Sequence, residues 1–248
     1  MSTSLSSSPP SDALRLPIDA CIVDLDGTMV DTLGDFEVAL NAMLAALGRG
    51  PVTRAEIERL VGKGSENLIR SVLALTDSRP AQPGQAVAPA DVAQGWPLYQ
   101  QAYLRCNGQH SAVYPGVAAG LQALRDAGLP LACLTNKPLA FARPLLVAKG
   151  LDGFFSHVFG GDSFARKKPD PLPLLETCRA LGTEPARTLM LGDSSNDAAA
   201  ARAAGCPVVL LTYGYNHGQP VQAVDADGHL PAMTELPAWL AARAARGG

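Results

Sequence analysis

Two carboxylates, Asp24 and Asp26, lie two positions apart in CIVDLDGTMVD (21–31), at the end of an apolar run. On an extended backbone they point to the same side. Paired carboxylates at the edge of an apolar core repel each other and lose hydration. A bound divalent cation reverses that penalty, because it makes a negative cluster favourable. Similar polar sets follow other apolar runs: Thr135, Asn136 and Lys137 in LTNK, Lys167 and Lys168 before PDP, and Asp193 and Asp197 in GDSSND.

Asp24, Asp26 and Asp193 would make a hard oxygen site suited to Mg²⁺. No His or Cys stands at ligand spacing, which disfavours Zn²⁺. Mg²⁺, the hydroxyl of Thr28 or Thr135, backbone N–H groups of a Gly-containing loop and a lysine are the parts that hold a phosphoryl group. One Asp of the close pair is then free to attack phosphorus, and the other to serve as general acid and then base. Taken singly, each residue would also suit the cap of a turn or helix, and Asp31 fits that role at the start of a helix. The set of four strand ends is what points to catalysis.

Positioning such a set requires parallel strands. IDACIV (18–23), LPLACLT (129–135), RTLMLG (187–192) and PVVLLT (207–212) are continuous apolar runs, with SHVFGG (156–161) a weaker fifth. Continuous runs predict strands covered on both faces. Helical spacing separates them: VAAGLQALRDAGL (117–129) closing on Gly128, PLAFARPLLVAKGL (138–151), DPLPLLETCRALG (170–182) and NDAAAARAAG (196–205). The alternation predicts an α/β fold, a doubly wound parallel sheet with a Rossmann-like core, whose ligands sit at the carboxyl ends of the strands. After Asp31 the rhythm breaks. Phe36, Ala39, Leu40, Met43, Leu44 and Leu47 form one apolar stripe, and further helical segments follow. We expect a disordered tail over 1–16, an α/β core over 17–32 and 111–248, and an inserted all-helical domain over 33–110. The Pro-, Ala- and Gln-rich stretch 77–95 reads as a flexible loop within it.

Composition narrows the function classes. The 248 residues are 47% hydrophobic and 17% charged, with a net charge of −3. No basic stripe suggests nucleic acid. No apolar run approaches the ~20 residues of a membrane span, and the Ser/Pro-rich start lacks a signal-peptide pattern. Five scattered cysteines predict buried reduced thiols. A cytoplasmic enzyme, monomer or homodimer, is the simplest expectation.

DLDGTMVD, LTNK, KKPDP and GDSSND, in that order, resemble the four signature motifs of the haloacid dehalogenase superfamily of phosphohydrolases, and the helical insertion resembles its cap domain. Within it, VGKGSENLI, YPGV, GDSSNDAAAARAAG and LTYGYNHGQP (211–220) look most like the bacterial phosphoglycolate phosphatase family. The resemblance covers 18–235. It implies that Asp24 is the nucleophile that becomes an aspartyl phosphate, while Asp26 protonates the leaving alkoxide and later activates water. It also implies Mg²⁺ on the Asp24 carboxylate, the Asp26 backbone carbonyl and Asp193, with Thr135 and Asn136 on phosphoryl oxygens. Lys168, the lysine adjoining Pro169, would offset charge, and Asp197 would orient the groups behind the metal. The substrate would be a small phosphorylated metabolite, with Lys63 or Ser65 of VGKGSEN near its carboxylate.

Three rivals use similar parts. A sugar phosphatase or phosphomutase of the same superfamily is poorly separated by sequence, although the GYN segment favours the phosphatase. A phospho-receiver module would carry its acidic pair first and its phosphorylated Asp later, against the order here. A haloalkanoic acid dehalogenase needs no metal, and would leave Asp26 and Asp193 unexplained.

Overall fold

The computed structural model describes residues 17–77 and 87–245. The expected tail over 1–16 lies outside them. From the N-terminal side, β1 (Ala20–Val23) leads into a short β2 (Val30–Asp31) and four helices: α1 (Leu33–Ala46), α2 (Arg54–Leu60), α3 (Ser65–Leu75) and α4 (Pro89–Cys106). β3 (Ala112–Val113) returns antiparallel to β2. Helices and strands then alternate: α5 (Val117–Asp126), β4 (Leu131–Leu134), α6 (Leu139–Ala148), β5 (His157–Phe159), α7 (Leu172–Leu181), β6 (Thr188–Gly192), α8 (Ser195–Ala204), β7 (Val208–Leu211), β8 (Gly228–Leu230) and α9 (Leu236–Ala245).

The main sheet has six strands in the order β5-β4-β1-β6-β7-β8, all parallel. Its continuous apolar runs serve two faces at once. Cys21, Val23, Leu189, Leu191, Val209 and Leu211 pack with α5, α6 and α9 on one side. Ile22, Met190, Val208 and Leu210 pack with α7 and α8 on the other. This is the period-2 alternation of a strand with both faces dry. Truncating Ile22, which is fully buried, to Ala would cost about 2–5 kcal/mol through the void left behind. Ala198, Ala200 and Ala201 of α8 are buried against the same face, and their small side chains let the helix lie close to the sheet.

The helices α1 to α4 build a core of their own from Phe36, Leu40, Met43, Leu44, Ile57, Ile69, Leu73, Tyr99 and Tyr103. Phe141 of α6 and Tyr215 join it from the sheet side. α2 is started by a reciprocal capping box between Thr53 and Glu56. Asp31 accepts the Leu33 N–H at the start of α1; it also accepts the Tyr215 hydroxyl and pairs with Arg54.

Two expectations need correction. The stretch 77–95 is not wholly a loop: α4 begins at Pro89, so 89–95 are its first two turns, while 78–86 lie outside the described residues. Pro89 suits a helix start, where its missing N–H has no partner to lose. The sheet also has a sixth strand, β8, and the chain forms the β2–β3 ribbon where it leaves and re-enters the α/β part. The five cysteines are free and buried.

Candidate active site

Register explains why the motif residues meet. β1 lies between β4 and β6, and Val23 pairs with both Cys133 and Leu191. The next residues of the three strands therefore emerge at one level: Asp24 after β1, Thr135 to Lys137 after β4, and Asp193 after β6. This is also where the strand order reverses direction, the place at which open parallel sheets hold ligands.

Asp24 is buried, and its Oδ1 lies 3.0 Å from Lys168 Nζ. That ion pair is the polar contact of this oxygen, which takes no other hydrogen bond among the described residues. Lys168 also donates to Asp197 Oδ1 at 2.7 Å and to the Leu134 carbonyl at 2.9 Å. Burial pushes the Asp24 carboxyl up to about 7; Lys168 pulls it back, and Asp197 and Asp26 push it further up. Burial works against the Lys168 charge, yet Asp197 and Asp24 outweigh it and raise its pKa. Asp193 is raised well above the usual carboxylate range, by burial first and then by Asp197 and Asp24.

Asp193 is seated by the Thr28 hydroxyl on Oδ1 (2.5 Å) and the Tyr215 N–H on Oδ2 (2.6 Å). Its surroundings leave no room for larger residues. A Cβ on Gly27, which has φ +83°, would come within 2.3 Å of Asp193 Oδ2, and one on Gly214 within 2.3 Å of Asp193 Cβ. The first requires glycine on conformational grounds too. Asp197 starts α8 in a capping box with Ser194, taking the Ser194 N–H, the Ser194 hydroxyl and the Asp193 N–H on Oδ2.

Asp24, Asp193 and Asp197 each offer one carboxylate oxygen within 4.8 Å of the others. Lys168 pairs with Asp24 and Asp197 but not with Asp193, and burial disfavours the charged form of Asp24 and Asp193. That donor set fits a hard divalent cation. Asp197 has both oxygens engaged, which leaves Asp24 and Asp193 with the freer lone pairs. The Asp26 carboxylate stands apart from this group. It accepts Lys137 Nζ at 2.8 and 3.0 Å and the Thr32 hydroxyl at 2.8 Å.

A small cavity is lined by Asp24, Asp26, Thr135, Asn136 and Lys137 from the sheet side, and by Phe36, Val61, Gly62, Gly64, Ser65 and Leu68 from the helices. Asn136 and Asn196 both donate their side-chain amides to the Gly62 carbonyl, at 3.0 and 3.1 Å. Asn136 also donates to the Lys168 carbonyl, so its amide is spent on backbone. Ser65 is buried in the cavity wall, whereas Lys63 is exposed and does not line it.

A family model for haloacid dehalogenase-like hydrolases matches residues 18–205. The chain belongs to that family. A phosphoglycolate phosphatase of Thiobacillus denitrificans is 43% identical to this hydrolase over 220 residues, covering 89% of this chain and 94% of the relative. One named phosphoglycolate phosphatase, plasmid, from Cupriavidus necator is 41% identical over 227 residues, 92% and 95% of the two chains. A crystal structure described as a predicted phosphoglycolate phosphatase, from Haemophilus somnus 129PT, superposes with a TM-score of 0.83 at 30% identity, covering 90% and 97% of the chains. Among the described residues of this haloacid dehalogenase-like hydrolase, no helix is long and apolar enough to cross a membrane.

Two features of the hydrolase's site escape a reading of its motifs. Lys137 was visible in LTNK, but nothing in the sequence pairs it with Asp26. The GYN segment gains a structural account: Gly214 leaves space for Asp193, the Tyr215 hydroxyl accepts the Thr32 N–H (2.9 Å), and Asn216 Oδ1 accepts the Ser195 N–H (2.9 Å) at the start of α8.

Proposed function

We propose that this hydrolase cleaves 2-phosphoglycolate to glycolate and phosphate, with Mg²⁺ held by the Asp24 carboxylate, the Asp26 backbone carbonyl and Asp193. The observation that carries the reading is the buried Asp24 carboxylate, paired with Lys168 at 3.0 Å and clustered with Asp193 and Asp197. The named relatives support the substrate. Bound there, Mg²⁺ would offset the negative charge that the carboxylates and the phosphoryl oxygens bring together.

Asp24 attacks phosphorus: its carboxylate oxygen forms the new O–P bond as the ester P–O bond breaks, giving an aspartyl phosphate. Asp26 gives its proton to the departing alkoxide, then takes one from the water that hydrolyses the intermediate. Lys168 holds Asp24 in place and offsets charge on it. The Thr135 hydroxyl and the backbone N–H groups beyond β4 would meet phosphoryl oxygens. At the other end of the substrate, the carboxylate would meet Ser65 at the first turn of α3, where free helix N–H groups favour an anion. The α1–α4 layer, over 33–110, acts as the cap in this reading.

Phosphate release from a panel of phosphomonoesters, with Mg²⁺ and with chelator, tests it. Phosphoglycolate should be preferred, and Asp24→Asn and chelated protein should be inactive. Hydrolysis of phosphoglycolate no better than of sugar phosphates would overturn the substrate; substantial activity in Asp24→Asn would overturn the chemistry.

A further inference from the structure

Lys137 stands on the loop after β4, yet its ammonium is enclosed by three elements. The side chain is 1% exposed, and Nζ lies 2.8 Å from one oxygen of Asp26 and 3.0 Å from the other. On its remaining sides Nζ faces the rings of Phe36 at 4.4 Å and Tyr103 at 4.8 Å. Those rings belong to α1 and α4, and they pack on each other with centroids 5.5 Å apart. Tyr103 is further braced by Phe141 at 4.8 Å. The cation therefore gives up its water shell for one carboxylate and two aromatic faces.

A lysine is a compact charge on a flexible stem, so its place is set by what surrounds it. Here the surroundings come from both halves of the molecule. Asp26 and Lys137 belong to the sheet part, while Phe36 and Tyr103 belong to the helical layer. The hydroxyl of Thr32, at the entry to α1, adds a further bond to Asp26. A buried ion pair of this kind adds little stability over apolar side chains of the same size. What it supplies is a defined position for the Asp26 carboxyl at the cavity wall, where both residues lie.

We propose that Lys137 is a positioning residue for Asp26, and that the Phe36–Tyr103 aromatic clamp makes that position depend on how the helical layer is seated. The proposal rests on the reading of Asp26 as the group that protonates the leaving alkoxide. In kcat/KM, which reports the steps up to departure of the leaving group and not the later attack of water, misplacing Asp26 then harms esters whose leaving group needs a proton and spares those whose leaving group does not.

The test compares kcat/KM of Mg²⁺-loaded wild type, Lys137→Met, Lys137→Arg and Phe36→Leu on an alkyl phosphate and on 4-nitrophenyl phosphate. Phosphoglycolate is the alkyl ester, or glycerol phosphate if wild type prefers it. Lys137→Met should lose about 10²-fold or more on the alkyl ester and less than about tenfold on 4-nitrophenyl phosphate. Lys137→Arg, which keeps a cation on the two rings, should recover part of the alkyl-ester activity. Phe36→Leu should show the same selective loss at smaller amplitude, and it decides the matter if Lys137→Met does not fold. Equal losses on the two esters, or no loss, would overturn the proposal. Failure of the substrate reading shows separately, as wild type that does not prefer phosphoglycolate.

Discussion

Lys168 Nζ bonds Asp197 Oδ1 at 2.7 Å while standing 3.0 Å from Asp24 Oδ1, so one ammonium links the start of α8 to the end of β1. Asp197 is itself fixed by the Ser194 cap, which makes it the anchor and Asp24 the adjustable end. Removing the cation leaves three buried carboxylates facing one another. We predict that Lys168→Met loses about 3–5 kcal/mol of stability in chelator, read from urea midpoints, and about 10²–10³-fold in kcat. Mg²⁺ should restore part of the stability but not the rate. A variant with wild-type stability in chelator would contradict the role of Lys168 as counter-charge.

The same cluster sets a pH dependence for the metal-free protein. Burial holds Asp24 up at about 7 and raises Asp193 well above the usual range. Each carboxyl therefore binds its proton more tightly folded than unfolded. The stability this brings is fully present below the unfolded carboxyl pKa of about 4 and is lost as the pH rises through about 7. A cation and a proton compete for the same oxygens. That competition weakens metal binding at pH 5, below the Asp24 value, and fades above it. The rise in melting temperature caused by Mg²⁺ should thus be small at pH 5 and large at pH 8. A pH-independent rise would place the metal elsewhere.

Much of this site was legible because a parallel sheet converts sequence motifs into neighbours. Once IDACIV, LPLACLT and RTLMLG are strands, Asp24, Thr135 and Asp193 must emerge together. β8 was hidden by its brevity and by His229 at its centre. The start of α4 was hidden because Pro89 and Gly95 read as helix breakers. Pro89 stands in the first turn, and Gly95 sits where a Cβ would come within 3.3 Å of Met43 Sδ on α1. Lys137 was hidden for a different reason. Its partners Asp26, Phe36 and Tyr103 are brought to it only by the way the helical layer packs, and no local pattern encodes that.

Asp193 offers a test in which stability and activity separate. Its carboxylate is disfavoured in the metal-free fold, so a neutral amide of the same shape should relieve the protein. Asn fits the existing bonds, with Oδ1 taking the Tyr215 N–H and Nδ2 donating to the Thr28 hydroxyl. Asp193→Asn should be inactive, yet more stable in chelator at pH 8 by about 1 kcal/mol, or roughly 2–4 °C. Gly214→Ala should lose both properties, because its Cβ would meet Asp193 Cβ at 2.3 Å and the Gly27 carbonyl at 2.4 Å. A thermal melt beside a phosphate-release assay separates the two patterns.

The loop over the cavity makes the last prediction. At about 30 Å³ the cavity holds on the order of two water molecules, and we predict that the Gly62 segment lifts to admit a phosphomonoester. Two amides hold that segment down, from Asn136 and Asn196, and both use the Gly62 carbonyl. Each such bond is worth about 0.5–1.5 kcal/mol. Asn196→Ala should therefore weaken closure and raise KM about 2–10-fold with kcat nearly unchanged. Ser65→Ala should raise KM as well, because Ser65 is buried in the cavity wall. Lys63→Ala should leave KM within about twofold, since an exposed side chain outside the wall gains little from a charge screened by solvent. A large KM effect at Lys63 with none at Ser65 would mean that the loop swings Lys63 inward as it closes on substrate.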